Sequence, residues 1–269
     1  MTRIKDRCLL VTGGASGIGR IMGRLALEKG ARKVVIWDLD EERIAATLAE
    51  YAAPGRTAGE RVDVTDAEAV AAAYARLREE HGDAEIVINC AGIITGNRTF
   101  DAQSVDEIRR TMEVNAIAPM VVALQALPAM IARGEGHLCN IASAAGMIAN
   151  PRMSVYVASK WAVVGWSDSV RIELQEARSK VRVTTVAPYF INTGMFEGVG
   201  SWLVPNLDPE RVARKILRAV ERDRRFLGMP WGYHLIRTVQ GLLPTRLFDL
   251  VVGRGWGIYS AMDRFTGRK

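Results

Sequence analysis

Short apolar runs recur along this chain and alternate with segments whose apolar residues fall three or four apart. Cys8-Leu9-Leu10-Val11, Val34-Val35-Ile36-Trp37, Ile86-Val87-Ile88, His137 to Ala142 and Val181 to Val186 read as buried strands, with a weaker one near Arg61-Val62. Between them, helical spacing predicts helices over 18–28, where Ile18, Met22, Leu25 and Leu27 repeat, over 41–51, from Asp66, over 105–127 and over 154–177. Asp208 followed by Pro209 caps a further helix reaching Val220. Wholly apolar strands alternating with helices predict an α/β fold, a doubly wound parallel sheet covered on both faces. At 269 residues and 49% hydrophobic composition, the chain has the size of one such domain over 1–269, and no linker, repeat or low-complexity stretch divides it.

The pattern weakens after Val186. Region 190–206 has little periodicity, and 226–269 reads as a basic, aromatic extension. There Leu235, Ile236, Val239, Leu242 and Leu243 fall at helical spacing among Trp231, Phe248, Trp256 and Phe265. All of the net charge of +6 lies at this end, since Arg222 to Lys269 holds nine basic and three acidic residues. Such an extension either folds onto its own subunit or a neighbour, or offers an amphipathic cationic surface for peripheral contact with membrane lipid. No nucleic-acid motif accompanies the charge, so nucleic acid is not an expected partner.

The polar start Thr2 to Arg7 lacks a signal-peptide pattern, and no uninterrupted apolar run approaches the roughly 20 residues of a membrane span. The expected location is cytoplasmic, soluble or peripheral to a membrane. Cys8, Cys90 and Cys139 are widely spaced, two of them in strands, and fit buried reduced thiols. His81, His137 and His234 have no cysteine or carboxylate at ligand spacing, so no metal site is expected.

Two stretches carry chemistry. Thr12-Gly13-Gly14-Ala15-Ser16-Gly17-Ile18-Gly19 joins a strand to a helix, which brings backbone N–H groups and the positive helix end toward a pyrophosphate, the Rossmann-type arrangement. Gly13, Gly17 and Gly19 are expected to be glycine because a Cβ would obstruct that approach. Asp38 follows Gly19 by 19 residues at the end of the second strand. A carboxylate there accepts the ribose hydroxyls of NAD and repels the 2′-phosphate of NADP. Tyr156 and Lys160, four residues apart, share one helix face. A free tyrosine has a pKa of about 10, and an adjacent cation lowers it by roughly 1 to 3 units. A serine hydroxyl beside the phenol, as Ser143 thirteen residues upstream would supply, holds the substrate oxygen while the proton moves. Tyr-x-x-x-Lys alone is commonly a surface helix; combined with the glycine loop it reads as a proton-transfer pair.

Those residues resemble the short-chain dehydrogenase/reductase family along nearly the whole chain. Thr12 to Gly19 resembles its T-G-x-x-x-G-I-G loop, Asn89-Cys90-Ala91-Gly92 its N-N-A-G element, and Asn115, Ser143, Tyr156 and Lys160 its catalytic tetrad. Pro188 to Phe196 and Met262 to Arg268 resemble the branch of retinol dehydrogenases and lipid-associated 17β-hydroxysteroid dehydrogenases. Cys90 departs from the second Asn of N-N-A-G, a change expected to affect stability more than chemistry.

The resemblance implies that Ser16 and Ile18 join the glycines at the cofactor, with Ser16 where NADP users of the family often have a basic residue. It places Asp63 and Val64 beside the adenine, with a cap on the next helix as the alternative role of Asp63, and Asn89, Ala91 and Gly92 at the cofactor's centre. Pro188, Ile191 and Thr193 would meet the nicotinamide end, together with Tyr156 and Lys160. Asn115 would hold a water linking Lys160 to solvent, and 190–206 would cap the substrate. A homodimer or homotetramer built on the helices over 105–127 and 154–177 is implied as well.

The function that follows is an NAD-dependent dehydrogenase or ketone reductase for an apolar alcohol of steroid, retinoid or long-chain type. Met147, Ile148, Met153, Val155, Phe190, Met195, Phe196 and Trp202 give the expected pocket its apolar character. A 3-ketoacyl-type or small polar ketone reductase is the alternative. A noncatalytic, lipid-associated nucleotide-binding protein is a third, against which the intact tetrad speaks.

Overall fold

A computed structural model of the chain describes residues 1–95, 98–199, 205–263 and 265–266, and their side chains except those of 231, 234 and 237. Trp202, Arg264, Arg268 and Lys269 lie outside the described residues, as does the side chain of Trp231. Seven strands pair in parallel: β1 (Cys8–Thr12), β2 (Lys33–Asp38), β3 (Thr57–Arg61), β4 (Ile86–Asn89), β5 (His137–Ile141), β6 (Arg182–Pro188) and β7 (Phe226–Met229). Their order is β3-β2-β1-β4-β5-β6-β7. The chain leaves β1 toward β2 on one side and takes up β4 on the other, and the crevice at such a reversal is where open α/β sheets bind ligands.

Alternation along each strand sends side chains into two separate cores. Leu9, Val11, Val34, Ile36, Ile86 and Ile88 meet α1 (Gly17–Glu28), α2 (Glu41–Tyr51) and α7 (Pro209–Glu221). Leu10, Val35, Trp37, Val87 and Leu138 face α3 (Ala67–His81), α5 (Ala118–Arg133) and α6 (Ser154–Glu176). A third cluster lies beyond the C-terminal strand ends, where Tyr156, Tyr189 and Phe190 meet Tyr233, Ile236, Phe248, Val252 and Met262 of the C-terminal segment.

Several elements differ from the sequence reading. The helix expected over 105–127 is α4 (Val105–Met112), a π-helical turn over Glu113–Ile117, and then α5, which runs past Pro128 to Arg133. Pro128 removes one N–H but does not end the helix, because Ala126 and Met130 remain fully buried on either side of it. By length and composition the stretch from Val105 to Arg133 does suffice to cross a membrane, contrary to the expectation. It nevertheless places Val122, Ala123, Ala126 and Met130 in the second core. Phe226–Met229, assigned above to the extension, is the edge strand β7; its glycine and four-residue length give little pattern. The series from Leu235 to Leu243 is divided. Ile236 is buried and Val239 and Leu243 pack against the third cluster, whereas Leu235 and Leu242 face solvent.

Candidate active site

The strand ends assemble the site. Thr12 of β1 pairs with Trp37 of β2 on one side and Asn89 of β4 on the other, so the glycine loop, Asp38 and the Asn89–Gly92 element leave the sheet at one edge. A cavity of about 300 Å³ opens there. Gly13, Ser16, Gly17, Ile18, Gly19, Asp38, Asp63, Val64, Ala91 and Gly92 line one part of it. Ser143, Tyr156, Lys160, Pro188, Ile191 and Thr193 line the other.

The glycines act for reasons more specific than ligand approach. Gly13 has φ +64°, and a Cβ would lie 2.8 Å from the Ala91 Cα. A Cβ on Gly19 would lie 2.2 Å from the Gly13 carbonyl oxygen. Gly13 therefore lets the loop pack against the backbone of the Asn89–Gly92 element, Gly19 lets it fold against its own backbone, and the expected reason fits only Gly17, which has φ +53° and only the Thr193 side chain, 3.6 Å away, near its would-be Cβ. Ser16 stands at the N-cap of α1 without making a side-chain cap hydrogen bond, and the first turn carries no acidic residue. The first-turn N–H groups and an available hydroxyl suit a pyrophosphate. The residues present therefore fit a dinucleotide.

Asp38 is held at the far end of this cradle. Its Oδ2 accepts from the Ala15 N–H (3.1 Å) and its Oδ1 from the Leu39 N–H (2.9 Å). Asp63 accepts from the Thr65 backbone and hydroxyl at 2.9 and 2.7 Å, while the cap of α3 is Asp66. Arg43, which the motifs did not single out, lines the same end and pairs with Asp40 at 2.9 Å.

Asn89 does not line the cavity. It is buried, and its amide donates to the Pro119 carbonyl and to Asn140, tying β4 to β5 and α5. Its neighbour Cys90, the departure from the motif, does line the cavity. The link between the loops is instead Thr12, whose hydroxyl accepts from the N–H groups of Cys90 and Ala91 at 3.1 and 3.2 Å.

At the chemical end, α6 presents Tyr156 and Lys160 from adjacent turns, with the Lys160 Nζ 5.7 Å from the Tyr156 ring centre. Both side chains are almost fully buried. Lys160 donates to the Ile141 carbonyl at 3.0 Å. Burial pushes the Lys160 ammonium down to about 8. It also pushes the Tyr156 phenol up to about 12, which the hydrogen bond with Ser143 only partly offsets. In the protein alone, desolvation therefore outweighs the expected acidification of the phenol by Lys160.

Asn115, in the π-helical turn, does not line the cavity either. Its Oδ1 accepts from the Ile93 N–H and its amide donates to the Ile93 carbonyl, both at 2.8 Å, and to Ser159 at 3.1 Å. Ser159 in turn donates to the Tyr156 carbonyl at 2.7 Å. With both amide hydrogens engaged, this side chain acts by fastening the Ile93 loop to the helix that carries Tyr156.

The remaining part of the cavity is lined mainly by apolar side chains, with Arg110 and Asn150 among its polar members. Ile148, Met153, Phe190, Met195 and Phe196 line it, joined by Ile93, Val114, Tyr189, Tyr233 and Ile258, which the sequence reading missed. Met147 and Val155 are buried but do not line the cavity; they pack into the fold behind it. Phe196 stands edge-on to Tyr156 with ring centres 5.8 Å apart and also meets Phe265 of the C-terminal segment.

Comparison with known proteins agrees with this geometry. A family profile described as short chain dehydrogenase matches residues 7–203. Epidermal retinol dehydrogenase 2 of Mus musculus is 35% identical over 272 residues, covering 99% of this chain and 87% of that one. Estradiol 17-beta-dehydrogenase 11 of Pongo abelii is 30% identical, covering 93% and 87%. Among solved structures, a short chain dehydrogenase/reductase from Burkholderia phymatum in complex with NAD superposes with a TM-score of 0.81 at 24% identity, covering 94% of this chain and 97% of that one. The chain thus belongs to the short-chain dehydrogenase/reductase family, in its retinol and hydroxysteroid dehydrogenase branch.

Proposed function

We propose that this protein is an NAD-dependent oxidoreductase interconverting an apolar alcohol, of steroid, retinoid or long-chain type, and its carbonyl. The observation that carries the reading is one continuous cavity. It joins the glycine cradle and Asp38 to Tyr156, Lys160 and Ser143, and it ends in a mainly apolar wall. Relatives named for retinol and estradiol point to the same substrate class. The anchored Asp38 carboxylate supports NAD.

The nicotinamide cofactor, when bound, supplies the hydride acceptor or donor. Tyr156 exchanges the substrate hydroxyl proton at its phenolic oxygen, and Ser143 hydrogen-bonds the substrate oxygen as its charge changes. The buried phenol rests in its neutral form, the state that donates a proton in carbonyl reduction. For alcohol oxidation the Lys160 ammonium must help to stabilise the phenolate. Asn115 fastens the Ile93 loop to the helix that carries Tyr156, through Ile93 and Ser159.

Assembly as a homo-oligomer is part of the proposal. Ile117, Leu124 and Ile131 lie exposed at seven-residue spacing along the chain, and Trp161 and Ile172 are exposed on α6. Such faces are suited to a second copy.

NADH absorbance across a panel of steroid, retinoid, long-chain and small polar alcohols is the test. Turnover should favour apolar alcohols with NAD, and Tyr156→Phe should abolish it while NADH binding stays near wild type. Substantial turnover by the phenylalanine variant would remove Tyr156 from the chemistry, and a preference for small polar ketones would overturn the substrate class.

A further inference from the structure

The C-terminal segment has two apolar faces, and the fold uses one of them. On the inner face, Tyr233, Ile236, Phe248, Val252, Ile258 and Met262 are buried with Tyr156 and Phe190, and Tyr233 and Ile258 line the cavity itself. On the outer face, Leu247, Leu250, Val251 and Arg254 are exposed along the helical stretch over 245–255, which is π-helical from Asp249, while Phe248 and Val252 of the same stretch are buried. Leu250 is 60% exposed, and Leu242, at the end of helix α8 (Ile236–Leu242), is 76% exposed. A segment that only closed the cavity would have no use for the second set.

The charge around that set identifies what covers it. Arg246 and Arg254 are exposed and have no ion pair among the described residues. The acidic residues nearby are engaged elsewhere: Asp249 accepts from the Tyr259 hydroxyl, and Asp263 pairs with Arg152 at 3.4 Å. Residues 231–269 contain six basic and two acidic side chains. A second copy would bring this cationic face against itself, and opposed like charges disfavour that contact. An anionic bilayer accepts both components, the leucines below the headgroups and the arginines among them.

We propose that the outer face of the C-terminal segment, centred on Leu242, Leu247, Leu250 and Val251 with Arg246 and Arg254, docks on an anionic lipid surface. The same short segment turns its other face to the cavity, so an apolar substrate dissolved in the bilayer would reach Tyr156 beneath the docked segment without crossing bulk water. Docking rests on the apolar-substrate reading for this consequence alone, and it is measurable without turnover.

The full chain is sedimented with phosphatidylcholine vesicles, with and without phosphatidylserine, at low and high salt. Binding should require phosphatidylserine and weaken as salt rises. Leu242→Glu combined with Leu250→Glu should reduce the bound fraction at least about tenfold. Arg246→Glu combined with Arg254→Glu should cost roughly fivefold per arginine and remove the preference for phosphatidylserine. Leu242→Ser, a milder change at the most exposed position, should fall between wild type and the double variant. All variants should keep the wild-type melting temperature and the wild-type turnover of a water-soluble alcohol. Absence of binding to phosphatidylserine vesicles at low salt overturns the proposal, as does undiminished binding by the leucine variants. Self-association of the wild type that these variants abolish would assign the face to a second copy instead.

Discussion

Replacing Lys160 with methionine should make the cofactor-free protein more stable while destroying its activity. The ammonium is buried at 4% exposure, and burial holds its pKa at about 8 against an ordinary 10.5. That gap is equivalent to about 3 kcal/mol of desolvation carried by the folded state at neutral pH. Methionine fills similar volume without charge. The loss of the charge-assisted hydrogen bond to the Ile141 carbonyl offsets about 1.5–3 kcal/mol of the gain. A net stabilisation of up to about 1.5 kcal/mol remains, which for a chain of this size raises the melting temperature by up to roughly 6 °C.

The pH dependence is the sharper test. Because the folded pKa is depressed, the penalty is full below about pH 8 and disappears above 10.5, so wild type recovers stability across that window. Buried groups with raised pKa values work the other way as pH rises. Cys8, held up at about 11, begins to matter above its ordinary 9.0, and Tyr156 above its ordinary 10.0. The measured quantity is therefore the difference between methionine variant and wild type at each pH. Thermal and urea melts without cofactor, at about pH 7 and about pH 9.5, should show the variant's advantage shrinking at the higher pH. A variant less stable than wild type at neutral pH, or an advantage independent of pH, would refute the argument from desolvation.

Asp38→Ser should lower the ratio of NAD to NADP affinity, read by fluorescence titration of the reduced cofactors; a wild type that already prefers NADP would contradict the role given to this carboxylate. Asn115→Ala leaves the Ile93 N–H and carbonyl without their partners, at a cost of about 2–4 kcal/mol. Hydrogen exchange at the Ile93 amide should quicken, and unchanged exchange would show that Asn115 does not hold that loop. Gly19→Ala should weaken NADH binding severely, because its Cβ would lie 2.2 Å from the Gly13 carbonyl oxygen, and near-normal binding would mean that the loop yields more easily than its backbone contacts imply.

Much of the fold was legible because its signals are local. Runs such as Leu9-Leu10-Val11 and Val34-Val35-Ile36 are apolar on both faces, which is the mark of a strand buried from two sides, and both lie in the interior of the sheet. The edge strands β3 and β7 left little trace, because an edge strand pairs on one side only and Thr57–Arg61 is nowhere fully buried. Turn chemistry was equally local: the glycines of 13–19 and the cap at Asp208 depend on backbone dihedrals and on neighbours within a few residues.

The roles of individual polar groups depended on contacts distant in sequence. Asn89 and Asn115 belong to recognisable motifs, yet their amides meet Pro119, Asn140, Ile93 and Ser159, residues 22 to 51 positions away. No spacing rule reveals which carbonyl a buried amide will find. The same holds for Tyr156 and Lys160. Their four-residue separation identified the pair, but the signs of their pKa shifts follow from how completely the surrounding chain excludes water. It holds as well for the series from Leu235 to Leu243, whose helical spacing was plain in the chain while its division between a buried and a solvent-facing side was not. Propensity and turn chemistry act over a few residues and can be read in order along the sequence, whereas burial is a property of everything packed around a side chain and exists only once the chain has folded.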